Sequence, residues 1–194
     1  GDGRGLICGG LRGLPCAGCG QAPLSNQETD RDDAYQMRQA PTVTMTFPFV
    51  GERAEELGLT GVKAVAWTTT PWTTPTNLAL AVGPDIEYAV VPAGPAGSGD
   101  GDPEGQYLLA KNLVGSWAKQ LGYASAEAAD AAVTRTIRGS DLEHVRYTPL
   151  FDYFTDTEQW HTENAWHVLV AESVSTEDGT GVVHQAPAYG EEDL

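Results

Sequence analysis

Basic residues, cysteines and long apolar runs are all scarce in this sequence, and each shortage excludes a class of function. Lys and Arg together number 11 in 194 residues, against 27 Asp and Glu, for a formal net charge of -16. Nonspecific nucleic-acid binders draw their affinity largely from cations that neutralise phosphates, so a chain this acidic is not one of them. The balance remains compatible with a domain that touches only a small part of a nucleic acid while other domains hold the rest. No apolar run approaches the roughly 20 residues that a membrane span needs. The N-terminal stretch lacks the basic-then-apolar pattern of a secretory signal. These features predict a soluble, cytoplasmic protein of one domain, alone or with a small appendage, and 41% hydrophobic residues are enough for a real core.

The three cysteines, Cys8, Cys16 and Cys19, crowd near one end, and an odd number in one place is no disulfide framework. Cys16-Ala17-Gly18-Cys19 has the spacing of half a zinc knuckle. A tetrahedral site needs four ligands, however, and the histidines begin only at His144. Cys16 and Cys19 are therefore weak metal candidates, and a glycine-rich turn with spare thiols is the simpler reading. Also missing are a Gly-x-Ser-x-Gly elbow, a His-Glu-x-x-His helix, a Gly-x-x-x-x-Gly-Lys phosphate loop and an obvious Ser, His, Asp triad. Covalent catalysis is not what the residues suggest.

What is present is a series of short strand patterns. Residues 1–40 read as a loosely ordered, glycine-rich and polar lead-in holding the Cys16/Cys19 pair. Strands are expected over 42–47 (closed by Pro48), 62–69, 78–82, 86–91, 106–110, 134–137, 166–171 and 181–184. A short helix is expected over 52–57, ended by Gly58, and another over 124–132. Residues 111–121 read as a helix with Leu113, Val114, Trp117 and Leu121 on one side and Gly122 as its stop. Between them, 92–105 is almost wholly Gly, Pro, Ala, Ser and acidic residues, which predicts a mobile surface loop. There is no regular βαβ alternation, so the expected class is α+β, antiparallel-rich and barrel-like.

Two dense segments carry the chemistry. Trp67-Thr68-Thr69-Thr70-Pro71-Trp72-Thr73-Thr74-Pro75-Thr76-Asn77 sets a run of hydroxyls among two tryptophans and two prolines. Side chains alternate along a strand, so Trp67 and Thr69 should point one way and Thr68 and Thr70 the other. The prolines end the ladder and leave neighbouring polar groups free, making a kinked ledge that can hold a ribose, a carbonyl oxygen and a water. Taken alone, such a threonine run is better explained by an edge strand whose threonines merely suit β geometry. The second segment, Gly179-Thr180-Gly181-Val182-Val183-His184-Gln185-Ala186-Pro187-Ala188-Tyr189-Gly190-Glu191-Glu192-Asp193, joins a strand bearing an imidazole to three carboxylates. A carboxylate in a pocket suits an ammonium through a charge-assisted bond. Alone, the segment also fits a satisfied core histidine before a solvated acidic turn.

Together the two segments resemble the editing (CP1) domain of the isoleucyl-tRNA synthetases. Arg146-Tyr147-Thr148-Pro149-Leu150-Phe151-Asp152-Tyr153-Phe154 is similar to the linking segment of that family's eukaryotic-like branch, which some bacteria carry. Leu24-Ser25-Asn26-Gln27-Glu28 resembles the start of the insertion. The resemblance covers the chain from about residue 14 onward; Gly1 to Gly13 falls outside it, and 92–105 looks like a local insertion. Within the class, His184-Gln185-Ala186-Pro187 points to the isoleucyl enzyme rather than its valyl and leucyl relatives.

The resemblance implies an editing domain over 41–194 that hydrolyses valine wrongly joined to tRNA(Ile) and excludes isoleucine. It assigns Asp193 to the α-ammonium of valine and His184 to the side-chain pocket. Thr68, Thr69 and Thr70 are assigned to the terminal adenosine, the ester and the attacking water, with Thr73 beside them. Asn77 supports this wall, and Trp67 or Trp72 packs on the adenosine. Editing of this kind calls for no cofactor; ATP and Mg belong to the full-length synthetase, whose His-Ile-Gly-His and Lys-Met-Ser-Lys-Ser signatures do not occur in these 194 residues. The expected partners are the 3′ end of the mischarged tRNA and the rest of the synthetase in cis. The rival readings are a valyl or leucyl editing domain, a non-catalytic acidic interaction module, and a small zinc protein.

Overall fold

The structure, a computed structural model, describes residues 42–99 and 102–189 together with two short strands near the N-terminus. The chain divides into two compact units, Gly1–Ala40 and Pro41–Leu194. In the first, β1 (Cys16–Ala17) and β2 (Ala22–Pro23) pair antiparallel. Cys16 thus lies on a strand, whereas Cys8 and Cys19 fall outside the described residues.

The second unit is a mixed sheet of nine strands. In chain order these are β3 (Val43–Val50), β4 (Lys63–Thr68), β5 (Ala79–Val82), β6 (Glu87–Pro92), β7 (Gln106–Ala110), β8 (Arg135–Arg138), β9 (Arg146–Tyr147), β10 (His167–Val170) and β11 (Val182–Gln185). Their spatial order is β11-β5-β10-β9-β3-β4-β7-β6-β8, antiparallel except for the β5/β10 and β4/β7 pairs. The ladder does not close into a barrel, because β11 and β8 remain its two ends. It curls instead, so that Ala110 at the end of β7 donates from its N–H to the Thr180 carbonyl just before β11. Three short helices accompany the sheet: α1 (Glu52–Glu56), α2 (Ala126–Ala131) and α3 (Thr157–Trp160). Among the described residues no helix is long and apolar enough to cross a membrane.

Alternation along the strands sorts the core onto two faces. Phe47, Phe49, Ala64, Ala66, Leu80, Val82, Tyr88, Val90, Leu108 and Val168 pack on the inside of the curl. Val65, Ala89, Val91, Tyr107 and Leu109 face the other way, against Val114, Ala118 and Leu121 from the stretch after β7 and Ala129 of α2. Strands β6 and β7 are therefore covered on both faces, which is why they read as unbroken apolar runs.

Three local expectations change. Pro48 does not close β3; it sits where that strand passes from β4 to β9 as its partner, a position where a missing N–H is tolerated. Residues 111–121 form two 3-10 turns, Lys111–Leu113 and Gly115–Trp117, rather than one α-helix. Gly115 lies at the break and packs so closely on α2 that an added Cβ would sit 3.0 Å from that of Ala126. The glycine-rich stretch contributes no core cluster, but its described part is hydrogen-bonded. Ala93, Gly94, Ala96 and Gly99 donate to carbonyls of Gly105, Leu121, Gly122 and Gln120. The composition of a loop says nothing of such backbone bonds.

Candidate active site

Beyond β4 the chain enters a 3-10 helix, Pro71–Thr76, with Pro71 at a position where a fixed φ and a missing N–H suit a helix start. The threonines then bond their own backbone. Thr73 Oγ1 donates to the Thr70 carbonyl at 2.8 Å, Thr74 Oγ1 to Pro71 at 2.8 Å and Thr76 Oγ1 to Thr73 at 3.0 Å. Part of the hydroxyl density in this segment is thus spent on holding a short turn together. Thr68 and Thr70 do share a side, with their hydroxyls 3.1 Å apart, and the Thr70 N–H donates to Thr68 Oγ1. Thr69 is exposed and makes no such bond with either of them.

Strand β11 pairs antiparallel with β5, placing His184 opposite Leu80 and beside the threonine turn. Its approach is fixed by two glycines with φ near +75°, Gly179 and Gly181, a backbone region that other residues resist. An added Cβ on Gly181 would lie 2.6 Å from that of Ala110, so no side chain fits there. The Trp117 indole donates to the Gly179 carbonyl at 2.7 Å, and the Tyr88 hydroxyl to that of Gly181 at 2.6 Å.

The two distant segments meet in an open cleft of about 490 Å³, lined by Trp67, Thr68, Thr70, Trp72, Thr73, Val183, His184, Ala186 and Tyr189. Among the described residues none that lines the cleft carries a formal charge. A larger cavity lined by Ile86, Lys111 and Asp130, and a smaller one lined by Val65, Tyr107 and Trp117, contain residues of neither segment.

His184 is 9% exposed and bonded at both ring nitrogens. Nε2 lies 2.9 Å from Thr73 Oγ1, and Nδ1 lies 2.9 Å from Asn77 Nδ2. The direction of these bonds follows from their neighbours. Asn77 Nδ2 also donates to the Ala79 carbonyl, while Asn77 Oδ1 accepts from the Tyr147 hydroxyl at 2.7 Å. The amide therefore presents an N–H to Nδ1, which must accept, and the imidazole proton sits on Nε2. Thr73 Oγ1 takes that proton and gives its own to Thr70. Each donor in the chain has an acceptor, and among the described residues no buried side-chain nitrogen or oxygen lacks a partner.

Asn77 is the hub. Its carbonyl accepts the Trp166 indole N–H at 3.1 Å, and its own N–H bonds Thr74. Trp166 holds φ +58°, unusual for so bulky a residue, and its backbone is gripped by Leu78 and Tyr147. Tyr147 is buried, with its ring edge-on to Phe47 at 5.2 Å, and burial pushes its hydroxyl far above the usual tyrosine range, so it stays a donor.

Of the residues singled out from the sequence, Trp67, Thr68, Thr70, Trp72, Thr73 and His184 line the cleft, and Asn77 stands behind it. Thr69 does not line it, and Asp193 lies outside the described residues. Among the described residues no group of three or more His, Cys, Asp or Glu could hold a metal ion. Sequence reasoning missed Val183, Ala186 and Tyr189 in the lining, and Tyr147 and Trp166 behind it. Only the buried-aromatic character of the last two was available as a signal, and it reads equally as core.

No family model matches the chain. Curated relatives do. It is 61% identical over 198 residues to an isoleucine–tRNA ligase of Leifsonia xyli, 48% over 194 residues to one of Corynebacterium diphtheriae and 43% over 192 residues to one of Mycobacterium tuberculosis. Each match covers 98% of this chain, yet the chain spans only 16–18% of the length of these relatives. Among solved structures, it resembles GlLeuRS-CP1 with a TM-score of 0.57 at 16% identity, over 79% of this chain and 57% of that one. It also resembles the editing domain of the P. knowlesi cytosolic leucyl-tRNA synthetase, with a TM-score of 0.56 at 14% identity, over 81% of this chain and 62% of that one. In sequence the chain corresponds to one segment of the isoleucine–tRNA ligases, and its fold is that of the leucyl-tRNA synthetase CP1 editing domains.

Proposed function

We propose that this segment hydrolyses the ester of tRNA(Ile) wrongly charged with valine and leaves isoleucine in place. The observation that carries this is the meeting of the threonine turn and the His184 strand in one uncharged cleft. A single methylene is worth only about 1–3 kcal/mol in an apolar pocket, a limit for which isoleucine against valine is itself the standard example. A second, smaller pocket that destroys valyl ester supplies the missing discrimination.

The roles follow from position. The exposed rings of Trp72 and Tyr189, with Trp67 in the same lining, offer flat apolar surface for the terminal adenine. Thr68 and Thr70, with hydroxyls 3.1 Å apart, hold the ester and a water; Thr69, on the outer side, meets the RNA. His184 has both nitrogens engaged within the protein, so it serves as a wall against the longer side chain rather than as a base. The described residues of the cleft supply no counter-charge for the substrate ammonium, and that role is assigned to Asp193, four residues beyond Tyr189 in sequence.

Water attacks directly with help from the neighbouring ribose hydroxyl, without an acyl-enzyme, metal or nucleotide. ATP and Mg act elsewhere in the full-length ligase. A net charge of -16 supports a reading in which other parts of that ligase hold the body of the tRNA, and only its 3′ end reaches here; the ligase is assigned to the cytoplasm. Deacylation of Val-tRNA(Ile), run beside Ile-tRNA(Ile) and the Asp193→Ala variant, tests the reading. Selective valine release that the variant loses is the expected result; equal release of both amino acids sinks it.

A further inference from the structure

We propose that Tyr147, a residue of β9 outside the cleft, positions the selectivity wall by fixing the Asn77 amide and, through it, the orientation and tautomer of His184; this rests on the editing reading above. The Asn77 amide has two possible orientations, and its neighbours choose between them. In the observed one, Nδ2 serves Ala79 and His184 while Oδ1 accepts from Tyr147. Turning the amide over sets Oδ1 against the Ala79 carbonyl, acceptor against acceptor. It also forces the imidazole proton onto Nδ1, leaving Nε2 to draw on the Thr73 hydroxyl, which then releases Thr70. The Tyr147 hydroxyl, 2.7 Å away and fully within the protein, would lose its acceptor at the same moment.

One buried phenol therefore holds the whole chain Asn77, His184, Thr73, Thr70 in a single direction. Its ring is itself held by Phe47, and the Asn77 backbone by the Trp166 indole. The consequence is a wall that does not yield. With both nitrogens tied, His184 cannot rotate to make room for one more methylene. A wall that discriminates by size depends on that rigidity.

The test is nitrogen-detected proton NMR of His184 in the 194-residue chain, joined to release rates for Val-tRNA(Ile) and Ile-tRNA(Ile) in the intact ligase. Wild type should show the proton on Nε2. Asn77→Asp, which puts an acceptor opposite Nδ1, should move it to Nδ1. Tyr147→Phe keeps the ring on Phe47 and removes only the hydroxyl. It should draw the two His184 nitrogen signals together and raise isoleucine release relative to valine about fivefold, the worth of one neutral hydrogen bond. A proton on Nδ1 in wild type overturns the proposal. So does a Tyr147→Phe chain that keeps its amide spectrum and shows unmoved His184 signals, which would leave Tyr147 a packing residue only. If the NMR behaves as expected while wild type shows no preference for valine, the editing reading falls and the positioning of His184 by Tyr147 stands.

Discussion

At one end of the sheet, β6 and β7 bury Tyr88–Val91 and Tyr107–Ala110 without interruption, none of them more than 1% exposed. Towards the other end, β5 and β11 frame a buried set of polar side chains, Thr73, Asn77 and His184, each satisfied by the next. The first region is held by area, and its parts are interchangeable within limits of volume. The second is held by direction, since each hydrogen bond fixes what its neighbour may donate or accept. The apolar end thus carries stability alone while the polar end carries both stability and selectivity, and substitutions can separate the two.

The largest effect should come from the apolar end. Leu108→Ala, at the centre of the first core face, should lower unfolding stability by about 2–5 kcal/mol in a denaturant titration. It should leave the ratio of valine to isoleucine release unchanged in whatever fraction stays folded; a changed ratio would mean the two regions are coupled. Asn77→Ala should cost nearly as much, about 2–4 kcal/mol, because it orphans a buried tyrosine hydroxyl and a buried imidazole nitrogen at once. Here selectivity should fail as well. Asn77→Ala with normal selectivity would show that the network does not set the wall.

Much of this division was legible in advance at the apolar end. Runs of apolar and β-branched residues with bounding turns locate most of the strands to within a residue or two, because burial selects those residues directly. The 3-10 break at Gly115 was not legible, since its cause is the close approach of α2, eleven residues further on. At the polar end the sequence supplies the ingredients without their pairing. Asn77 and His184 stand 107 residues apart, and Tyr147 is 70 from Asn77. No spacing rule links residues that only the sheet order brings together. The excess of threonines is also ambiguous from sequence alone, since Thr74 and Thr76 bond their own turn while Thr68 and Thr70 face the cleft.

The joint between the regions is Gly181, where β11 crosses close to Ala110. Gly181→Ala should destabilise by about 1–3 kcal/mol, from a positive φ and from the displacement of β11. Because His184 rides on that strand, valine release should fall more than the lost stability explains, measured as a lower kcat in the folded fraction. A loss that tracks stability alone would make the glycine a folding residue and nothing more.

Tyr88 ties the same joint from the apolar side, accepting from Gly83 and donating to Gly181, and its effect should be the smallest at neutral pH. Tyr88→Phe should cost about 1 kcal/mol there. Alkaline conditions sharpen the contrast. Burial pushes the Tyr88 hydroxyl up to about 12, although the bond from Gly83 favours the ionised form. A group whose folded pKa lies above its unfolded value of 10.0 contributes stability that is complete below pH 10 and is lost as pH rises towards 12. The buried Tyr147 adds a loss of the same sign. Thermal melts from pH 8 to 12 should therefore show wild type losing stability steeply above 10 and Tyr88→Phe losing less, so that the two curves converge. Parallel curves would mean that Tyr88 is not the residue through which hydroxide reaches the joint, and the alkaline loss would then belong to the polar end, through Tyr147.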